Sequence, residues 1–377
     1  MKDWEIKKLK DICEKGSSNV NMKDLDKMQG NYPIYGASGF IQNVNFYHQE
    51  NEYIGIIKDG SGIGRTMLLP PKSSVIGTIQ YILPKEGNSI RFIDYALQSL
   101  NLSKYKQGAA IPHIYFRDYG ETELIVPPLE EQKRIVKILD EKFAMLETVK
   151  ANAKANLQNA KDLFQSQLTK VFSNTTWEKK RLDSIADIKS GFAFKGSAFK
   201  TEGEYQVLRL GNVKQNYLRV EEKAVFVSGI SESDFSKAKV NVGDLVITQT
   251  GTKGKRDYGF VAIVDRENLL LNQRLAAITT NENLYNRYLL YYSYTENFKD
   301  QFFANEGGTV GQGNIGLTDI KEIEIPLPPL SEQKRIVEQL DSLSEKVRSL
   351  EEIYTKQLAN CDELKQAFLA KAFAGEL

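Results

Sequence analysis

A ten-residue segment occurs twice in this chain. Pro127-Pro128-Leu129-Glu130-Glu131-Gln132-Lys133-Arg134-Ile135-Val136 returns 201 residues later as Pro328-Pro329-Leu330-Ser331-Glu332-Gln333-Lys334-Arg335-Ile336-Val337, with nine of ten positions identical. Self-similarity of this kind decides the architecture before any local feature does, because it requires two copies of one folding unit. The same spacing continues without a gap through Leu139/Leu340, Asp140/Asp341, Leu157/Leu358, Asn159/Asn360, Leu163/Leu364, Gln165/Gln366, Leu168/Leu369, Lys170/Lys371 and Phe172/Phe373. A second echo opens each half, Trp4-Glu5-Ile6-Lys7-Lys8-Leu9 against Trp177-Glu178-Lys179-Lys180-Arg181-Leu182, now 173 residues apart. The second copy therefore carries 28 more residues between its opening and its repeat segment, while the segment that follows is length-matched. Length is constrained after the proline pair and free before it.

The length-matched segments read as long helices. Each starts after a Pro pair, which ends an extended stretch and tolerates a helix start. No Gly or Pro interrupts 129–173 or 330–374. Steps of three and four from Val136 pass through Leu139, Phe143, Leu146, Lys150, Ala153, Leu157, Ala160, Phe164, Gln167 and Val171, nine of eleven apolar. The counterpart runs Val337, Leu340, Ser344, Val347, Glu351, Tyr354, Leu358, Cys361, Lys365, Phe368 and Ala372, eight of eleven apolar. This is the heptad seam of a coiled coil, on rods of about 60 Å. The simplest partner for each seam is the other copy in the same chain. Leu343 and Leu350 lie off the seam, so helices of another protein are a second possibility.

Between the helices lie two mixed regions, giving a division into 1–126, helix 127–174, 175–325 and helix 326–377. Strand-like runs are Tyr53–Ile57, Thr66–Leu69 and Thr78–Leu83 in the first region, and Gln206–Leu210, Asp244–Thr248, Phe260–Val264 and Leu275–Ile278 in the second. Both follow the order strand, glycine loop, strand, loop, strand, and then a short helical stretch, Phe92–Leu100 or Arg287–Thr295. Each module is an α+β domain ending in its own long helix.

Composition is that of a globular chain, 41% hydrophobic and 26% charged. No apolar run of membrane-spanning length and no apolar N-terminal signal core occurs, so a cytoplasmic protein with no membrane partner is expected. Cys13 and Cys361 have no CxxC or Cys/His spacing, so neither a disulfide framework nor a zinc site is expected; both read as buried reduced thiols. Net charge is only +1, and Lys plus Arg against Asp plus Glu counts 15 to 14, 8 to 6, 20 to 20 and 7 to 9 over the four regions. A nucleic-acid partner would need a local basic patch, since no global field draws it in.

Enzyme motifs fail on context. Gly311-Gln312-Gly313-Asn314-Ile315-Gly316 has the formal spacing of a dinucleotide loop, which needs a strand before it and a helix after it, but Glu306-Gly307-Gly308-Thr309-Val310 precedes it and the strand-like IKEIEIPLP follows it. A tight polar loop is the expectation there. Asp59-Gly60-Ser61-Gly62-Ile63-Gly64-Arg65-Thr66 lacks the GK[ST] ending of a phosphate loop and reads as an inter-strand turn. Only His48 and His113 exist, without triad spacing, and no HExxH metal motif or (N/D)PP(Y/F) adenine-methyltransferase tetrapeptide is present. No catalytic residue, metal site or cofactor is assigned to this chain.

What remains is basic and amide chemistry beside aromatics. One loop brings together Gln249, Thr250, Thr252, Lys253, Lys255, Arg256 and Tyr258; a second cluster holds Asn272, Gln273 and Arg274. The comparable set in the first module is Lys58, Ser61, Arg65, Thr78, Gln80 and Tyr81. Asn and Gln pair with adenine, Arg with guanine and Lys with phosphate, so these are candidate DNA contacts. The alternative is ordinary solvated loops on a coiled-coil scaffold or adaptor without a DNA role, and near-neutral charge favours it.

From Trp4 to the C-terminus the chain resembles the specificity subunit of type I restriction-modification systems. The duplicated PPLxEQKRIV joint at the head of each heptad helix carries the resemblance, supported by Ser190-Gly191-Phe192-Ala193-Phe194-Lys195-Gly196-Ser197-Ala198-Phe199, Gly243-Asp244-Leu245-Val246-Ile247 and Leu271-Asn272-Gln273-Arg274. It implies two target recognition domains in tandem, each followed by a long helix. The two helices would form an antiparallel coiled coil with pseudo-two-fold symmetry, acting as a ruler through Val136, Leu139, Phe143, Leu146, Leu157 and Phe164 of one helix. Val337, Leu340, Val347, Tyr354, Leu358 and Phe368 would face them from the other. It also implies that Lys195 joins the DNA-contacting set, and that double-stranded DNA, two methyltransferase subunits and two restriction-translocase subunits are the partners. S-adenosylmethionine, ATP and Mg would belong to those partners. The first module has no counterpart of SGFAFKGSAF.

Overall fold

The computed structural model describes residues 4–60, 62–108, 112–173 and 176–377. The long helices run Leu129–Phe172 and Leu330–Phe373, each 44 residues. The chain divides into two compact units, one of Met1–Ala155 with Tyr354–Leu377, the other of Asn156–Ile353. The division falls inside both helices, so each unit holds one mixed region, the start of one helix and the end of the other.

In the first unit a four-stranded antiparallel sheet runs Cys13–Ser17, Ile79–Pro84, Tyr53–Ile57, Thr66–Leu69. The second unit repeats that order as Ala186–Ser190, Leu275–Thr280, Leu245–Thr248, Val261–Ile263. A three-stranded sheet adjoins each. Its middle strand pairs antiparallel on one side and parallel on the other: Tyr32–Gly36 with Gly39–Val44 and Ser74–Val75, or Tyr205–Leu208 with Phe226–Val227 and Leu269–Leu271. The duplication thus extends well beyond the segments that match in sequence.

Strand alternation explains why the central strands read as unbroken apolar runs. Successive side chains point to opposite faces. Ile54 and Ile56 pack with Leu139 and Leu369 in one cluster, whereas Tyr53 and Ile57 pack with Val75 and Tyr81 in another. Leu245 and Ile247 likewise share a cluster with Leu168, Val337 and Leu340, and Val246 lies on the opposite side with Leu208 and Val264. Both faces are covered, so neither face needs polar residues.

The opening echo is also explained. Glu5–Lys8 pairs antiparallel with Glu123–Val126, the strand that leads into the first Pro pair, and Lys179–Arg181 pairs with Glu324–Pro326. The first residues of each half are therefore stitched to the residues just before its long helix.

Helix packing within each unit is antiparallel. In the first, Lys142 lies over the Phe368 ring at 4.7 Å, and about two turns further on Lys150 Nζ is 2.6 Å from Asp362. In the second, Phe164 packs on Tyr291 and Phe172 on Tyr288, in the cluster that holds Val337 and Leu340. Of the expected seam residues, Val136, Leu139, Val337, Leu340 and Val347 are buried, and Phe143, Leu146, Leu157, Phe164, Tyr354, Leu358 and Phe368 are half-buried. Stepping along the seam missed Leu168 and Leu369, both fully buried: they face the sheet of their own unit. Cys13 and Cys361 are buried and unpaired.

Candidate nucleic-acid interface

The repeated segment is a joint. Gln132 is buried; its amide donates to Pro127 O at 2.9 Å and accepts from Ser89 N at 2.8 Å. Gln333, also buried, donates to Pro328 O and Asn283 O and accepts from Tyr285 N at 2.8 Å. Ser89 and Tyr285 each precede a short helix, Ile90–Ser99 or Asn286–Tyr292. One buried amide therefore fastens the long helix to the short helix of the same unit. Beside it, Glu131–Arg134 and Glu332–Arg335 form bidentate pairs on the helix surface, and each Arg holds its Glu below the ordinary carboxylate range.

A second shared feature sits at the end of each central strand. In the second unit, Gly307–Thr309 and Gln312–Asn314 form a hairpin, and Thr250–Gly251 adds a third strand to it. Ile315, buried, donates to Gln249 O at 2.9 Å, and Gln249 Nε2 donates back to Ile315 O at 3.2 Å. Glu306 fixes the root by accepting from Tyr258 Oη at 2.8 Å and Gly254 N at 3.0 Å. Thr250 Oγ1 is buried there and has no hydrogen-bond partner among the described residues.

The first unit builds the same root from different residues. Ile114, buried, donates to Lys58 O at 3.0 Å, and His113 bridges both Gln107 and Asp59. Asp59 Oδ1 lies 2.6 Å from His113 Nδ1 and its Oδ2 lies 2.6 Å from Lys58 Nζ. Beyond it, His113 stacks on Tyr115, and the Arg117 guanidinium sits over that ring at 4.7 Å. Ile114 and Ile315 are 201 residues apart, as are Asp118/Asp319, Glu121/Glu322 and Glu123/Glu324. The register of the repeat therefore begins before the Pro pairs, a signal that the sequence contained and that the ten-residue match overshadowed.

The candidate contacts separate by burial. Lys195, Lys253, Lys255, Arg256, Gln273, Arg274 and Arg65 are exposed, and Lys58, Thr78, Thr252 and Asn272 are half-buried. Arg256 is paired with Asp300 at 2.8 Å and lies over Phe303; Arg65 donates to Ala37 O; Lys253 reaches Gly308 O at 3.3 Å. Ser61 lies outside the described residues. Five of the expected readers are instead internal: Gln80, Tyr81, Gln249, Thr250 and Tyr258. Gln80 and Tyr81 lie on the central sheet, both faces of which are covered, whereas Gln249, Thr250 and Tyr258 are packed into the hairpin root. Gln80 accepts from Tyr119 Oη, Tyr81 is hydrogen-bonded to His48 Nδ1, and Tyr258 packs on Phe302 and Phe303.

Two further motifs are structural. Phe192, Phe194 and Phe199 of the SGFAFKGSAF segment pack on Val207, Val227 and Leu270, and Phe192 N donates to Leu271 O at 2.8 Å. A Cβ at Gly191 would lie 2.2 Å from Asn272 O, so the backbone there requires glycine. The GQGNIG stretch differs from its expected form. Gln312–Asn314 is a strand of the hairpin, as is Gly307–Thr309 before it, and the strand-like 320–328 is helical at Ile320 and Lys321, the end of the short helix Leu317–Lys321, with its strand confined to Glu324–Pro326. Asp319 Oδ2 accepts from Gly316 N at 3.0 Å at the start of that helix. Among the described residues no cluster of His, Cys, Asp and Glu could hold a metal, and no helix is long and apolar enough to cross a membrane.

Comparison with known proteins agrees with this duplicated frame. The type I restriction modification DNA specificity domain matches residues 1–158 and again 174–358. The MjaVIII specificity subunit of Methanocaldococcus jannaschii is 26% identical, with 100% of this chain and 93% of that protein covered. The EcoKI specificity subunit of Escherichia coli K12 is 25% identical over 77% of this chain and 65% of its own length. Among solved structures, a chain from the type I R-M system superposes with a TM-score of 0.75 at 20% identity, covering 100% of this chain and 99% of that one. The HsdS subunit of Thermoanaerobacter tengcongensis gives 0.57 at 20% identity, with 100% and 98% covered. With the specificity domain matched twice along a chain whose two units share one strand order, this protein belongs to the type I restriction-modification specificity subunits, the non-catalytic component that gives such systems their DNA specificity.

Proposed function

We propose that each globular domain reads one half of an asymmetric, bipartite DNA site, and that the long helices set the spacing and dock methyltransferase subunits. One observation carries this reading: the two units share a strand order and a backbone root at the end of the central strand but present unlike accessible residues beside it, His113, Tyr115 and Arg117 in one, Lys253, Lys255 and Gln312 in the other. A common frame with different contents suits two different half-sites on one duplex, much as paired DNA readers convert protein geometry into half-site spacing. Each assembly would hold double-stranded DNA, two methyltransferase subunits and two restriction-translocase subunits, and would act in the cytoplasm. S-adenosylmethionine, ATP and Mg would be bound by those partners, with no cofactor in this chain.

Methylation mapping with the chain and its methyltransferase partner tests the reading. The expected result is a split, asymmetric motif. Inserting four residues into the helix at 129–172 should alter only the spacer. A continuous motif, or a changed half-site sequence after the insertion, would overturn the proposal. A coiled-coil scaffold without a DNA role would show no linear fall of log affinity with log salt on duplex DNA.

A further inference from the structure

We infer that the hairpin Gly307–Asn314 is the element of the second unit that enters the major groove, with Val310 at its tip making apolar contact with a thymine methyl group. The inference rests on the DNA-specificity reading above and assigns one element and one residue to it.

Val310 stands entirely in solvent, at 105% of its reference exposure. A single exposed hydrophobe is ordinary; its setting is not. Four of the eight hairpin residues are glycine, Gly307, Gly308, Gly311 and Gly313. Gly308 has φ +101°, and a Cβ there would lie 2.1 Å from Gln312 O. Half of the hairpin thus carries no side chain, and among Thr309, Val310, Gln312 and Asn314 it is Val310 that presents an apolar group at the tip.

A glycine ribbon left free would lose its shape, because glycine carries the largest backbone entropy. This one is tied down. Thr250–Gly251 pairs with its inner strand, Lys253 Nζ donates to Gly308 O, and Glu306 accepts from Tyr258 and Gly254 at its base. A Cβ at Gly313 would come within 2.3 Å of Glu306 Oε1 and 2.7 Å of Tyr258 Oη, so the root is packed tight. The result is a held hairpin, three-stranded at its root and two-stranded only at its tip, Thr309–Gln312, with exposed Lys253 and Lys255 on the adjoining loop.

The B-DNA major groove admits a two-stranded ribbon, and its T·A pairs display a methyl group that apolar side chains recognise. Lysines beside the ribbon suit phosphate contacts, which position a reader without specifying sequence. Valine is short and β-branched, which suits contact with a methyl at the groove floor better than prising bases apart, the work of longer side chains.

The test uses the full chain assembled with its methyltransferase partner, on the duplex site defined by methylation mapping. Each thymine of both half-sites is replaced singly by deoxyuridine, which removes only the methyl, and binding is measured for the wild type and Val310→Ala. The wild type should lose about fourfold at one position, the worth of one buried methyl group. Val310→Ala should bind the unmodified site several-fold more weakly and lose discrimination at that position alone, with its melting temperature unchanged. Deoxyuridine penalties identical in the two proteins, or absent throughout, would overturn the inference while the bipartite reading stood. Binding without any sequence preference would instead remove the DNA-specificity reading itself, and this inference with it.

Discussion

Asp341 accepts a hydrogen bond from Tyr291 Oη at 2.5 Å, and Asp140 accepts one from Tyr95 Oη at the same distance in the other unit. Each carboxylate also takes an arginine, Arg287 at 2.5 Å or Arg91 at 2.9 Å. The donors lie four residues apart on the short helix, hence on one face. Burial, reinforced by the Asp140 carboxylate, pushes the Tyr95 hydroxyl up to about 12, and Tyr291 is shifted the same way. Both phenols therefore stay protonated and donate at neutral pH.

Removing the acceptor should be costly in either unit. Asp341→Ala leaves the buried Tyr291 hydroxyl and the exposed Arg287 without their partner; hydrogen bonds to charged groups are worth about 1.5–3 kcal/mol, and the exposed arginine contributes little of that. A loss near 2 kcal/mol in denaturant unfolding is expected for Asp341→Ala and for Asp140→Ala. A loss below about 0.5 kcal/mol in both would show that water replaces the carboxylate freely.

The glutamine of the joint carries a larger burden. Gln333→Ala would strand Pro328 O, Asn283 O and Tyr285 N beside a fully buried position. Each unsatisfied buried group costs about 1–3 kcal/mol, so a loss of about 3 kcal/mol or more is expected. Gln132→Ala should behave similarly, and amide hydrogen exchange should quicken first at the short helix it holds.

How much of this could be read in the sequence depends on whether the physics was local. The helices were, since 44 residues free of Gly and Pro with an apolar seam leave few alternatives; they run Leu129–Phe172 and Leu330–Phe373, inside the broader spans 127–174 and 326–377 assigned to them. Tyr53–Ile57 and Thr66–Leu69 were equally legible as short β-rich runs beside a glycine loop. What could not be read was burial on the second face of the central sheet. That face is covered by a three-stranded sheet assembled from distant segments, so Tyr81 passed for a surface reader; Gln80, on the opposite face, is buried against Tyr119. The hairpin root escaped for a related reason: its backbone bonds from Ile114 and Ile315 use atoms that every residue has.

Core burial separates leucines that look equivalent in the repeat. Leu168 and Leu369 are fully buried, whereas Leu163 and Leu364 are nearly half exposed. Leu168→Ala and Leu369→Ala should each cost about 3 kcal/mol, transfer and cavity terms together. Leu163→Ala and Leu364→Ala should cost under about 0.5 kcal/mol by the same measurement.

Asp94 gives the first unit a pH dependence. It is buried, Thr66 Oγ1 and Gln98 Nε2 donate to it, and burial outweighs them to raise its pKa. A carboxyl whose folded pKa is raised binds its proton more tightly in the native state, so stability falls as pH rises from about 4 to that raised value. Above that window the ionised form is a fixed cost. Asp94→Asn should remove this dependence and raise the melting temperature at pH 7. An unchanged pH profile in the variant would mean that the two donors compensate the buried charge fully.

Salt dependence isolates the role of the lysines beside the hairpin. Lys253 and Lys255 are exposed on a loop whose turn is held by Asp257, which accepts from Thr252 N at 2.7 Å. Neither lysine supports the core, so Lys253→Ala with Lys255→Ala should leave unfolding within about 0.5 kcal/mol of wild type. If both neutralise phosphates, each releases about one counterion. The slope of log affinity against log salt should then shrink in magnitude by about two, equally on specific and non-specific duplexes. A slope that is unchanged would place the phosphate-binding face elsewhere on the second unit. A change confined to one sequence would mark the lysines as base readers instead, since phosphate contacts carry no sequence information.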